Sequence, residues 1–83
     1  MTPLETVEAL FNELVTHYGE AEDREVRAAA KLLLVALDKF RSYGGANWSG
    51  LVDEYVQMAT HNPQKFDRVL QGSRGTTGKT LNA

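Results

Sequence analysis

The sequence predicts an all-α protein: a small helical bundle of three main helices plus a short fourth helix, with a flexible C-terminal tail. Three observations point there. Apolar side chains recur at alternating spacings of three and four, as one face of a helix requires. Glycine and Asn-Pro signals cut the chain into helix-length pieces. No segment shows the period-two alternation of a half-buried strand.

The first helix opens on Thr2-Pro3-Leu4-Glu5. Thr2 suits the cap, Pro3 the first helical position, and Glu5 can bond back to the Thr2 backbone, completing a capping box. Leu4, Val7, Phe11, Leu14 and Tyr18 form its apolar stripe, widened by Leu10 and Val15, and Gly19 ends it as a left-handed terminator. A second helix starts in the acidic cluster Glu20 to Glu25 and ends in Lys39, Phe40 and Arg41 before Gly44-Gly45. Acids at the start and cations at the end both suit the helix dipole. Its middle, from Ala28 to Leu37, is apolar on nearly all sides apart from Lys31. Such a helix is expected to be central, packed on more than one face, or to lie along a second copy or a partner.

Asn47 is placed to cap a third helix reaching about Thr60, with Trp48, Leu51, Val52, Tyr55, Val56 and Ala59 on its apolar side. Asn62-Pro63 repeats the cap-plus-proline signal for a short fourth helix carrying Phe66, Val69 and Leu70, closed by Gly72. The expected division is one helical domain over residues 1–72 and a tail over 73–83, where Ser73, Gly75 and Gly78 discourage regular structure.

Eighty-three residues hold one domain with a thin core. Cysteine is absent, which excludes disulfides, thiolate metal sites and thiol nucleophiles and fits a reducing, cytoplasmic setting. The first residues lack the basic and apolar regions of a signal peptide, so none is expected. The longest strongly apolar run, Leu32 to Leu37, is six residues, against roughly 20 for a membrane span. No membrane partner is expected.

Net charge is only −2, yet it is unevenly spread. Residues 1–23 carry six acids and no Lys or Arg; residues 24–83 carry nine basic and five acidic side chains, a net of +4. Such polarity suits a basic partner on the first helix, a nucleic acid on the remainder, or association between unlike faces.

Catalytic motifs are weak throughout. Gly78-Lys79-Thr80 ends like a phosphate-binding loop, but Ser73 stands where the pattern needs its first glycine, and no strand precedes it. His17 and His61 have no close-spaced ligand partner, so they read as helix-end residues. The carboxylates at Glu20, Glu22, Asp23, Glu25 and at Asp53-Glu54 fall at helix beginnings, where acids complement the dipole. None of the three serines sits in a nucleophile elbow. No cofactor, metal or small-molecule substrate is expected, and the chain reads as a non-enzyme. Trp48-Ser49-Gly50 resembles the Trp-x-Gly turn of the small secreted helical-hairpin proteins that carry it. Breaks at Gly19 and Asn62-Pro63 depart from that family's two long helices.

The preferred reading is a non-enzymatic protein-binding module, an adaptor or an inhibitor of a larger assembly, acting alone or as a homodimer. Its candidate contact residues are Glu8 and Glu13 on the acidic helix and Arg41, Tyr43 and Trp48 at the Gly44-Gly45 joint, an aromatic and arginine composition typical of interface anchors. Phe40 and Tyr55 are expected in the core. A nucleic-acid-associated protein using Lys65, Arg68, Arg74 and Lys79 ranks second. A self-assembling structural subunit is a further alternative.

Overall fold

The structure, a computed structural model, describes residues 1–74. Four helices follow in order: α1 (Pro3–His17), α2 (Arg24–Tyr43), α3 (Trp48–His61) and α4 (Pro63–Arg74). No strand occurs among the described residues.

Each helix begins and ends for a local reason. At the start of α1 the Glu5 N–H donates to Thr2 Oγ1 (3.2 Å), and the Thr2 N–H donates to Glu5 Oε1 (2.7 Å). That is the full capping box, satisfying two donors the helix leaves orphaned. Gly19 takes φ +62° just past the end of α1, a conformation side-chain-bearing residues avoid. Arg24 Nη1 then donates to the Gly19 carbonyl (2.9 Å), tying the turn to the first residue of α2.

Two expected features are corrected. Asn47 stands at the N-cap of α3 but makes no side-chain cap bond, because its backbone (φ −102°, ψ 23°) is not the extended one a capping side chain uses. And α4 does not close at Gly72; it runs on through Gly72 to Arg74. Glycine weakens a helix interior without breaking it, and the extra turn lets Arg74 reach α1. The expected flexible tail beyond it lies outside the described residues from 75 onward. The corner between α3 and α4 is a single residue, Asn62, whose Oδ1 accepts from the Lys65 N–H at 3.4 Å, a long cap.

In packing, α1 lies on α2, α2 on α3, α3 on α4, and α4 returns to α1, whereas the diagonal pairs do not approach. Each helix is therefore covered on two flanks only. The consequence for burial is direct: among the described residues only Ala28 is fully buried, and no large side chain is. Half-buried residues on the anticipated stripes include Leu4, Phe11, Leu14, Phe66 and Leu70, but Val7, Leu10, Leu51, Val56, Ala59 and Val69 of those stripes are exposed. Tyr55, expected in the core, is 52% exposed and only edges the Phe40 ring at 6.5 Å between centroids. Nor is α2 enclosed: Leu33, Leu34 and Val35 are all more than half exposed, since α1 and α3 leave part of its circumference open.

Candidate interaction surface

The end of α2 and the start of α3 make the most apolar concavity described. Gly44 and Gly45 set it up. A methyl group on Gly44 would fall 2.8 Å from the Trp48 Cβ, so only glycine lets α3 start this close, and Gly45 takes φ +80° to reverse the chain. With the helices so drawn together, Ala36, Lys39, Phe40 and Tyr43 of α2, with Gly44 and Leu51, line an open groove of about 470 Å³. Lys39 is its one charged member. Tyr43 stands at its edge 82% exposed.

On the opposite flank of α2, Leu34, Leu37, Asp38, Arg41 and Trp48 line a smaller hollow of about 270 Å³. Arg41 lies along it, held by Asp38 at 2.8 Å. Arg41, Tyr43 and Trp48, close in sequence, thus divide between two flanks of one helix: Arg41 and Trp48 on one, Tyr43 on the other. Trp48 is half-buried as the first residue of α3, and Gly50 lies inside that helix, so Trp48-Ser49-Gly50 is not a turn between helices.

The acidic helix presents less free charge than its sequence implies. Glu8 receives Arg74 across 66 positions of sequence: Arg74 Nη2 donates to Glu8 Oε2 at 2.6 Å, and Nε donates to both carboxylate oxygens at 3.0 and 3.2 Å. This hydrogen bonding, with the guanidinium's charge adding to it, holds the Glu8 carboxyl below the usual carboxylate range and raises Arg74 above the ordinary arginine value. One residue from the expected protein-binding set and one from the expected phosphate-binding set therefore satisfy each other. Glu13 is exposed, and being five positions from Glu8 it lies about 140° round the helix. The two acids do not form one patch.

Lys65 and Arg68 are exposed on α4, and Lys79 lies outside the described residues. A more polar groove of about 440 Å³ follows the α3–α4 corner, with Asp53, Glu54 and Lys65 among its lining. The histidines lie apart from these hollows' linings. His17 sets its ring edge on Tyr18 at 5.6 Å, and His61 Nδ1 stands 2.8 Å from Thr60 Oγ1. Among the described residues no three His, Asp or Glu side chains converge as a metal site would require, and no helix is long and apolar enough to cross a membrane.

Two features of the surface have no complete local signature in the sequence. The Glu8–Arg74 pair could not be found from local pattern, because it joins the two ends of the described chain. The groove carried a signal in the aromatic residues flanking Gly44-Gly45, but not its lining. No family model matches this chain, and no curated protein or solved structure matches it.

Proposed function

We propose that this chain is a non-catalytic protein-binding module, an adaptor or an inhibitor of a larger assembly, and that its contact surface is the apolar groove at the α2–α3 junction. The observation that carries this reading is Tyr43, almost fully exposed at the edge of a groove lined by Ala36, Phe40 and Leu51. An amphipathic tyrosine over an apolar slot offers contact area at little conformational cost, the usual anchor of protein recognition. Lys39 at the rim favours a partner with an acidic residue beside its apolar anchor.

Glu8 leaves the proposed contact set, since Arg74 occupies it. Arg41 and Trp48 keep a place on the second flank. A nucleic-acid role has less support: with Arg74 turned to Glu8, only Lys65 and Arg68 of the basic set stand exposed among the described residues.

The test is a photo-reactive amino acid placed at Tyr43 and, as a control, at Glu13, with cross-linking in the host cell. A discrete protein adduct at position 43 and none at position 13 is the expected result. Adducts to nucleic acid, or equal labelling at both positions, would overturn the reading.

A further inference from the structure

The α2–α3 groove has the make-up of a small-ligand site as well as that of a protein contact. Its volume of about 470 Å³ falls within the range of about 300–1,000 Å³ usual for such sites, which are mostly apolar with a few polar groups. Ala36, Phe40 and Leu51 supply apolar side chains, and only Lys39 and Tyr43 bring polar side-chain atoms. From Ala36 to Tyr43 the lining runs about 10 Å along α2, enough for a short acyl chain or one aromatic ring.

The charge the groove accepts follows from what surrounds Lys39. Asp38 is the acid paired with it, and that contact is long, at 3.9 Å. The same Asp38 holds Arg41 at 2.8 Å and lines the hollow on the opposite flank. The acids of α3, Asp53 and Glu54, line the separate groove at the α3–α4 corner. Beside the apolar groove α2 ends and α3 begins, so the negative end of one helix dipole and the positive end of the other largely offset. Lys39 is left to set the sign.

We infer that this groove binds a free organic monoanion with an apolar body, an acyl or aryl carboxylate. Its body lies on Ala36, Phe40 and Leu51, and its carboxylate meets the Lys39 ammonium. Tyr43, at the edge, adds apolar area to the occupant. A neutral amphiphile forgoes the Lys39 contact, and a cationic one is repelled by it. The inference rests on the protein-binding reading of this groove and adds a regulator to it, because ligand and protein would compete for the same apolar surface.

Titration of the purified full chain with octanoate, octanol or octylammonium, followed by amide NMR, tests this. Shifts centred on Ala36 to Gly44 and on Leu51 are expected, with saturation at around 1 mM, as a small ligand in an open groove gives. Octanoate should bind about threefold more tightly than octanol, the preference an exposed ion pair supplies, and octylammonium more weakly than either. Lys39→Gln should erase the difference between octanoate and octanol while leaving octanol unchanged. Tyr43→Ser should weaken both by the same factor. Both positions are exposed, so neither variant should alter the helical circular dichroism. Equal binding of octanoate and octanol by the wild type, a preference that survives Lys39→Gln, or shifts centred elsewhere overturns the inference. Octanoate that binds as expected yet leaves a Tyr43 cross-link to protein undiminished overturns the competition. Octanoate binding with no protein adduct at Tyr43 defeats the protein reading alone.

Discussion

Ala28 has no exposed surface, while every large side chain around it keeps some. A larger residue there must push helices apart, whereas glycine removes only a methyl group and helix propensity. Ala28→Leu should cost about 1–3 kcal/mol by overpacking, and Ala28→Gly about 1 kcal/mol. Urea denaturation would measure both, and a neutral Ala28→Leu would show that the site opens to accommodate it. The Glu8–Arg74 pair is the other decisive contact at this scale. Glu8 binds its proton less tightly in the folded chain than in the unfolded one. Its contribution is therefore fully present above the unfolded value, about 4.3, and disappears as the pH falls through the lower folded value. Glu8→Gln should lower the melting temperature by about a few degrees at pH 7, and the difference should shrink as the pH falls through the folded value and the native carboxyl takes up its proton. Both side chains are partly solvated, so added salt should shrink the difference at pH 7.

Helix termini show how far sequence reached and where it stopped. The α1 start was legible because every part of the capping box lies within four residues, and Thr2→Ala should cost about 1 kcal/mol. Asn47 occupies the position its residue type predicts, yet its backbone is not extended and its side chain makes no cap bond. Asn47→Ala should then cost well under the roughly 1 kcal/mol of a working cap, and a loss as large as that of Thr2→Ala would restore Asn47 to a capping role. The apolar stripes were legible for the same local reason: Phe11 and Leu14 turn inward because spacing puts them on one face. Spacing cannot say which helix covers a face or whether any does. Val7, Leu10 and Tyr55 match their stripes yet stay exposed, and Arg74 found Glu8 only because α4 passes its glycine and comes back to α1.

At the scale of the whole molecule, a ring of four helices without diagonal contacts makes little interior. Hydrophobic burial stabilises at about 25 cal/mol per Å² removed from water, and this chain leaves Val26, Leu33, Leu34 and Tyr43 largely in water. Chain entropy opposes folding by about 1–2 kcal/mol per residue whether or not a core forms, so a single copy has a narrow margin. Association that covers these exposed side chains would add the missing burial, and stability would then depend on how much protein is present. The melting temperature should climb by several degrees over about a hundredfold rise in concentration, as expected when folding and association are linked. Leu33→Asp should flatten that dependence and leave the dilute-limit melting temperature almost unchanged, because Leu33 contributes little to the isolated fold. A wild-type melting temperature independent of concentration would mean the ring of four helices stands on its own burial.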